Sequence, residues 1–473
     1  MKKQAFNPYL PEWEYIPDGE PYVFDGRVYI FGSHDRFGAD EFCLNNYIGW
    51  SAPTDDLANW ECHGYIYDIT EDPLNEDGKW CGFAPDVAKG PDGRYYLFYG
   101  LNNDLAISVA VCDTPAGRYH FYGHVKLQDG RVYGTEFGDV FCFDPGVLVD
   151  DDGKVHLYIG FSPTAEMLDC NPSFISRISD GAYHVELDSD MLTIKSEPTR
   201  VVPGPVHTAG TGYEGHGFFE ASSIRKIGDT YYFIYSSENY NELCYATGNA
   251  PEGPFTYGGT LVSGVDLGYN GNTVPLNYSS NNHGSIECIN GKWYVFYHRH
   301  TNKTMFSRQA CAEPLTVLPD GKILQSEVTS CGLNGGALIG CGEYKARIAC
   351  NLTLREEQWF SDNHPYFTQS GEDREGDGDQ YITNMKDGAW AGFKYFEFDG
   401  TTASLSMTVR SKANGKFIVT TKRGGDAVCE IEVSPTADRA EFSAPCTITE
   451  GIKPLYFTYE GEGEVDFFSF KLS

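Results

Sequence analysis

Gly217–Ser223 (GFFEASS), which runs into Asp229–Tyr235 (DTYYFIY), shows the pattern that organises the chain. A carboxylate lies among aromatic and small residues, a turn follows, and the turn leads into a strand of aromatic and β-branched residues. Four other stretches repeat this layout, with a turn every 60 to 76 residues and a polar residue 7 to 9 positions before its second residue. The polar residues of the five stretches are Asp18, Asp86, Asp144, Glu220 and His283. Such a recurrence indicates an internal repeat.

The turns of this repeat predict β-hairpins. Most of them are Asp-Gly or Asn-Gly pairs between apolar runs, and both residue types tolerate positive φ. Further strands follow in each unit, such as Leu243–Thr247 and Phe255–Tyr257. Four strands per unit, repeated five times, predict a five-bladed β-propeller over residues 1–330. Because the innermost strands of a propeller line its axis, the five polar residues should meet in one central pocket.

The repeat stops after Pro319–Gly321, and the glycine-rich segment 331–342 marks a predicted domain boundary. Short alternating strands in residues 343–473 predict a jelly-roll-like β-sandwich of about 130 residues, so that the whole chain is expected to be all-β. The acidic loop Glu372–Asp379 is either a second place for calcium, bound through oxygen ligands, or an ordinary surface loop. We expect Trp390 in the core of the sandwich, and the alternative is a platform on which a sugar stacks.

The composition restricts the partners of the protein. With 473 residues and a formal charge of −32, the chain is not expected to bind nucleic acid or an anionic membrane. No apolar run follows the lysines near the N-terminus, so we expect a cytoplasmic protein. The 14 cysteines include no Cys-x-x-Cys pair, which favours reduced thiols over zinc or redox motifs. No organic cofactor is expected, and the oligomeric state is left open.

Four motifs resemble glycoside hydrolase family 43, which comprises inverting β-xylosidases and α-L-arabinofuranosidases. They are the turn at Asp18, Ala84–Val87 (APDV), Phe219–Ser222 (FEAS) and Asn281–Gly284 (NNHG). The C-terminal region is similar to family 6 carbohydrate-binding modules. The sequence departs from the family at Phe83, where a Trp is usual, and at Gly19, where a Pro is usual.

The resemblance implies a role for each matched residue. Asp18 would be the general base, Asp86 would orient the acid and modulate its pKa, and Glu220 would be the general acid. His283 would bind a calcium-like ion near the propeller centre, directly or through water, and the alternative is a core histidine without an ion. The expected sugar-binding residues are Phe83, Phe219 and Arg308. The implied substrates are oligosaccharides from xylan or arabinan with a terminal β-D-xylosyl or α-L-arabinofuranosyl group.

The residues themselves suit this chemistry. Inverting hydrolysis needs an acid and a base whose carboxyl groups stand ~6.5–9.5 Å apart, and Asp18 and Glu220 can face each other across the axis. Phe218 and Phe219 should desolvate Glu220, and a nearby Asp86 should add like-charge repulsion, so that both raise its pKa. Asp144 is either a further pocket carboxylate or a residue that shapes the Asp-Pro turn.

Two other functions fit a five-bladed propeller. A retaining fructan hydrolase would use an Asp nucleophile, but the Asn-Asp-Pro-Asn-Gly start usual in that group is replaced by Ile16–Gly19 (IPDG). A sugar-binding propeller without catalysis would not need three carboxylates in register. The sequence does not choose between xylosides and arabinofuranosides.

Overall fold

The computed structural model describes residues 3–103, 106–170, 177–278, 280–354, 360–374 and 379–473. Strands dominate these residues. The one α-helix among them is α1 (Ala165–Cys170), and short 3-10 helices lie at Ile69–Glu71, Pro205–His207, Tyr269–Gly271, Gly332–Asn334 and Ala346–Ile348. None of the helices in the described ranges is long and apolar enough to span a membrane.

Five antiparallel sheets form the blades of a propeller. Blade I contains β1 (Glu20–Phe24), β2 (Arg27–Phe31), β3 (Tyr47–Pro53) and β4 (Glu61–Tyr67). Blade II contains β5 (Gly82–Lys89), β6 (Tyr95–Leu101), β7 (Ile107–Cys112) and β8 (His120–His124). Blade III contains β9 (Gly146–Val149), β10 (Val155–Ile159), β11 (Gly181–Leu187) and β12 (Thr199–Pro203). Blade IV contains β13 (Phe218–Ile227), β14 (Thr230–Ser237), β15 (Glu242–Gly248) and β16 (Thr256–Ser263). Blade V contains β17 (Ile286–Ile289), β18 (Lys292–His300) and β19 (Arg308–Pro314), and the hairpin β20 (Thr316–Val317) and β21 (Ile323–Leu324) follows it.

Apolar side chains fill the spaces between the blades. Five buried clusters each join two neighbouring blades, including the pair of blades V and I. The first strands of neighbouring blades, from β1 to β17, contact one another around the axis. Burial of this apolar area is the main favourable contribution to folding, and it fixes the first strands as the axial wall.

Blade V differs from the prediction of four strands per unit, because its sheet has three. The N-terminal segment lies along the free edge of β19. The amide of Tyr9 donates to the carbonyl of Ala310 (3.2 Å), and the side-chain amide of Asn7 donates to the carbonyl of Ala312 (2.9 Å) while accepting from its N–H (3.0 Å). The beginning of the propeller therefore closes the ring against its last blade.

Two six-stranded sheets form the C-terminal sandwich. One contains β22 (Leu338–Ile339), β24 (Asn351–Thr353), β27 (Trp390–Phe398), β29 (Gly415–Thr420), β30 (Ala427–Val433) and β32 (Gly451–Gly461). The other contains β23 (Gly342–Lys345), β25 (Tyr366–Ser370), β26 (Asp379–Met385), β28 (Ser404–Ser411), β31 (Ala440–Pro445) and β33 (Val465–Leu472). The predicted all-β fold, a propeller followed by a sandwich, is confirmed.

Two predictions for the sandwich can be compared with the structure. Its first strand, β22, begins at Leu338, five residues before the predicted start at residue 343. The side chain of Trp390 is 6 % exposed and packs with Tyr456 in the sandwich, which confirms the core placement.

The acidic loop contacts the propeller through its described residues, whereas residues 375–378 of the predicted calcium loop lie outside the described part. Both carboxylate oxygens of Asp373 accept hydrogen bonds from blade I, one from the N–H of Phe37 (2.8 Å) and one from the side-chain amide of Asn45 (3.2 Å). Arg374 donates to both oxygens of the buried Glu14 at 2.7 and 2.8 Å. The described part of the loop is thus an interdomain contact.

A buried ion pair also joins the two domains. The ammonium group of Lys394, on β27, lies 3.1 Å from Asp266 and 2.9 Å from Glu327, both in the propeller. The Lys394 and Asp266 side chains are 3 % and 4 % exposed. Because removal of one partner leaves an unpaired buried charge, this contact should be sensitive to substitution.

Lys394→Met is expected to lower the free energy of unfolding by about 3–5 kcal/mol, because Asp266 and Glu327 lose their cation. The control is Lys416→Met on the sandwich surface, where Lys416 pairs with the half-exposed Glu430 at 2.8 Å and should contribute little to stability. Thermal and urea unfolding of the full chain measure both variants. Equal losses in the two variants would contradict a stabilising role for the interdomain pair.

Candidate active site

A cavity of about 570 Å³ opens at one end of the propeller axis. Four of the five predicted polar residues line it: Asp18, Asp144, Glu220 and His283. Aromatic rings from several blades form much of the wall, and these are Phe42, Phe83, Phe143, Phe161, Phe219 and Tyr240. The predicted sugar-binding residues Phe83, Phe219 and Arg308 are all part of the lining.

Asp86 does not line this cavity, so its predicted placement there is wrong. Ala84, two residues earlier on β5, lines the pocket in its place. A β-bulge shifts the register of β5 between Phe83 and Asp86, and Asp86 reaches Tyr22 and Val147 instead of the pocket. Its carboxylate is fully buried and accepts hydrogen bonds from the Tyr22 hydroxyl (2.6 Å) and from the amides of Val87 and Val147 (both 2.7 Å).

Asp18 lies just before β1 with a positive φ of 56°, an uncommon conformation that Asp tolerates better than most residues. One carboxylate oxygen accepts a hydrogen bond from Arg308 (2.9 Å). The imidazole of His298 lies 3.4 Å from the same oxygen, but its Nε2–H donates to the carbonyl of Asn281 (3.0 Å). Burial and the charge of Arg308 hold the pKa of His298 well below its usual value, so that the cation paired with Asp18 is Arg308 and not His298.

Arg308 is held in place by Asp35, a residue that the sequence analysis did not assign to the site. The guanidinium donates to both Asp35 oxygens at 2.8 and 2.9 Å, and the Arg308 amide donates to one of them at 3.0 Å. The ring of Phe42 stacks under the guanidinium at 4.8 Å. The only sequence signal for Asp35 is its position after β2, where blade I reaches the pocket.

Glu220 lies at the start of β13 beside aromatic side chains. Phe219 packs against Phe161, with ring centroids 5.1 Å apart. Phe218 was also expected to desolvate Glu220; its side chain packs between blades III and IV and is not part of the pocket lining. Burial raises the pKa of Glu220 to about 8, the negative charge of Asp18 adds to this increase, and Arg308 opposes it.

Asp144 and His283 complete the polar part of the pocket. Asp144 accepts a hydrogen bond from the amide of Ala221 (3.0 Å), the residue after Glu220, and lies 3.5 Å from Nδ1 of His283. Burial and the nearby Glu220 raise the pKa of Asp144 well above its usual value. Burial lowers the pKa of His283 to about 4, so this imidazole is neutral at pH 7.

The donor atoms around His283 do not suit a directly bound calcium ion. Calcium takes six to eight oxygen ligands. The ring of His283 offers only nitrogen, and the carboxylate nearest to it, that of Asp144, has only two oxygen atoms. Within the described residues, one group of three side chains has potential ligand atoms close together: His216, Glu242 and Cys244 in blade IV. There, a Glu242 oxygen accepts hydrogen bonds at 2.7 Å from His216 and 2.5 Å from Ser237, so the group is a hydrogen-bonded network.

Comparisons with known proteins agree with this geometry. The chain is 51% identical over its full length to a "Xylosidase/arabinosidase" of Thermoclostridium stercorarium, of which it covers 99%. It is 31% identical to a "Xylosidase/arabinosidase" of Bacteroides ovatus over 61% of this chain and 87% of that protein.

Two solved structures are similar to this one. A family 43 arabinoxylan arabinofuranohydrolase from Bacillus subtilis, in complex with cellotetraose, has a TM-score of 0.51 and 22% identity, with 99% of this chain and 97% of that chain covered. A β-xylosidase/α-arabinofuranosidase from a compost metagenome, in complex with xylotriose and in a calcium-free form, has a TM-score of 0.53 and 28% identity, with 69% and 98% covered. The profile of "Glycosyl hydrolases family 43" matches residues 22–323. The chain therefore belongs to glycosyl hydrolase family 43.

Proposed function

We propose that the protein is an inverting glycosidase that releases terminal pentoses, α-L-arabinofuranosyl or β-D-xylosyl groups, from oligosaccharides derived from xylan or arabinan. One observation carries the proposal. The pocket contains a carboxylate paired with a cation, Asp18 with Arg308, and a carboxyl group whose pKa is raised to about 8, Glu220. Two carboxyl groups with such different environments can act as base and acid at the same pH.

In the proposed reaction, Glu220 gives its proton to the glycosidic oxygen while the bond from that oxygen to the anomeric carbon breaks. A water molecule attacks the anomeric carbon from the opposite face, and Asp18 takes a proton from it. The products are a free pentose and the shortened alcohol. Glu220 is left ionised and Asp18 protonated, and transfer of one proton through solvent restores both groups.

Asp144 fills the role that the sequence analysis gave to Asp86. It lies next to Glu220, and each group raises the cost of ionising the other. The Ala221 amide donates a hydrogen bond that stabilises the ionised form of Asp144. When one of the two carboxyl groups is ionised, this hydrogen bond favours the state in which Glu220 keeps its proton. Neutral His283 can donate or accept a hydrogen bond beside this pair.

The propeller axis is blocked below the pocket. Glu20 and Arg225 lie there, 1 % and 7 % exposed, and form an ion pair at 2.8 Å. A polysaccharide therefore cannot pass through the ring. The names of the relatives include both xylosidase and arabinosidase, which supports both pentoses as substrates.

The stereochemistry of the product tests the mechanism. Hydrolysis of an aryl β-xyloside is expected to give α-xylose first, because a single displacement inverts the anomeric centre. Proton NMR of a fresh digest, recorded before mutarotation, measures the anomer. Early β-xylose would instead make Asp18 a nucleophile, as in the retaining fructan hydrolases. If the protein turned over neither aryl xylosides nor aryl arabinofuranosides, the remaining alternative would be a sugar-binding propeller without catalysis.

Substitutions at Asp144 and Asp86 should separate a role in chemistry from a role in structure. Asp144→Asn is expected to lower kcat and to move the alkaline limit of the pH–rate profile to lower pH, because ionisation of Glu220 is then no longer opposed by a coupled carboxyl group. Asp86→Asn should mainly lower the melting temperature, because the carboxylate holds three hydrogen-bond donors below the pocket. A pH–rate profile that shifts in Asp86→Asn and not in Asp144→Asn would reverse these roles.

A further inference from the structure

The axis of the propeller below the pocket contains a buried cation, the side chain of Arg225. Arg225 extends from β13 of blade IV, and its guanidinium nitrogens contact blade I. One of them, Nη2, donates to Glu20 (2.8 Å) and to the carbonyl of Pro21 (3.0 Å). The other, Nη1, donates to the Tyr22 hydroxyl (3.2 Å) and to the carbonyl of Ile224 (2.8 Å).

Blades II and V also face this cation. The Asp86 carboxylate of blade II and the Glu287 carboxylate of blade V both interact electrostatically with Arg225. The guanidinium lies 4.3 Å over the ring of Tyr22, whose hydroxyl donates to Asp86. Four blades therefore meet at this one side chain, which places it on the axis.

The surroundings of Arg225 are rich in oxygen atoms. They comprise the carboxylates of Glu20, Asp86 and Glu287, two carbonyls and the hydroxyls of Tyr22 and Ser223. Such a set of oxygen donors with negative charge would suit a hard cation such as calcium. Here the guanidinium occupies the middle of this set and forms its ion pair with Glu20.

We propose that Arg225 is the built-in cation of this propeller and fills a set of axial oxygen donors that would otherwise suit a metal ion. The proposal rests on the donor set below the pocket and not on the glycosidase activity. Its consequence for the pocket is direct. Glu20 begins β1, two residues after Asp18, and Arg225 lies on β13 together with Glu220. Their ion pair therefore ties the strand that follows the base to the strand that carries the acid.

The metal content of the wild-type protein provides the first test. Elemental analysis of protein purified without added metal is expected to show far less than one calcium ion per chain. Treatment with EDTA followed by gel filtration should leave the melting temperature and the activity unchanged. Stoichiometric calcium whose removal lowers the melting temperature would overturn the proposal.

Substitution of Arg225 provides the second test. Arg225→Met is expected to lower the melting temperature by about 10 °C, since the buried Glu20 and Asp86 and the partly buried Glu287 lose their cation. Arg225→Lys should lower the melting temperature less than Arg225→Met does, because lysine keeps the positive charge. The control is Arg94→Met in blade II, which removes a half-exposed pair with Asp92 and should change the melting temperature little.

Arg225→Ala should leave an oxygen-lined space that accepts an added cation. Millimolar CaCl₂ is expected to raise the melting temperature of this variant and to leave that of the wild type unchanged. An equal rise in both proteins would show a calcium site elsewhere and would overturn the proposal. Should Arg225→Ala fail to fold, Arg225→Lys and the wild-type metal content still decide the question.

Discussion

Asp18→Asn is expected to lower kcat/KM by about 10²–10⁴-fold for every substrate, whatever its leaving group. The amide cannot take a proton from the attacking water, and a better leaving group does not replace that step. The fold should survive, because Asn tolerates positive φ as Asp does. Steady-state rates with aryl xylosides of different leaving-group pKa measure the effect.

The matched control for this variant is Asp25→Asn in the exposed turn of blade I, which also has a positive φ and lies outside the pocket. This control should keep wild-type rates. Recovery of the Asp18→Asn rate with activated leaving groups would contradict the role of Asp18 as the base. It would assign the proton donor to this residue instead.

Glu220→Gln is expected to lower kcat/KM by a similar factor, about 10²–10⁴, for natural oligosaccharides, but much less for an aryl glycoside with an activated leaving group. Such a leaving group departs without protonation, so the missing acid matters little. The control Glu252→Gln changes an exposed residue in blade IV and should have no effect. Equal losses for both kinds of substrate would refute Glu220 as the acid.

The pH dependence provides an independent check on Glu220. The acid acts in its protonated form, and its pKa is raised to about 8, so kcat/KM of the wild type should fall as the pH rises through about 8. Glu220→Gln cannot lose this proton, and its residual activity should lack this alkaline limb. Retention of the limb in the variant would assign it to another group.

The repeat in the sequence predicted the fold because each blade combines local signals, a hairpin turn and an aromatic strand, at a regular spacing. It also placed Asp18, Glu220 and His283 correctly in one pocket, and Asp144 with them. The missing fourth strand of blade V could not be predicted in this way. The segment around Asn7, which lies beside β19 where the fourth strand would be, is distant in sequence from blade V and has no strand pattern of its own.

The error at Asp86 has a definite cause in strand geometry. Asp86 lies 7 positions before its turn residue, whereas Asp144 and Glu220 lie 9 positions before theirs. The residue of blade II that lies 9 positions before its turn residue is Ala84, which does line the pocket. The β-bulge between Phe83 and Asp86 shifts the register of this strand, and the polarity of the residue alone could not reveal that. The position of Asp35 after β2 indicates the pocket rim, but its pairing with Arg308 depends on tertiary contacts that the sequence does not show.

The closure of the ring by the N-terminal segment has a consequence for biosynthesis. Asn7 bonds to Ala312, a residue that the ribosome adds 305 positions later. At a synthesis rate of about 5–20 residues per second, this segment waits roughly 15–60 s for its partner. During translation, the early blades can form while the ring stays open. The pocket, whose Asp18 depends on Arg308 from the last blade, is therefore completed only at the end of propeller synthesis.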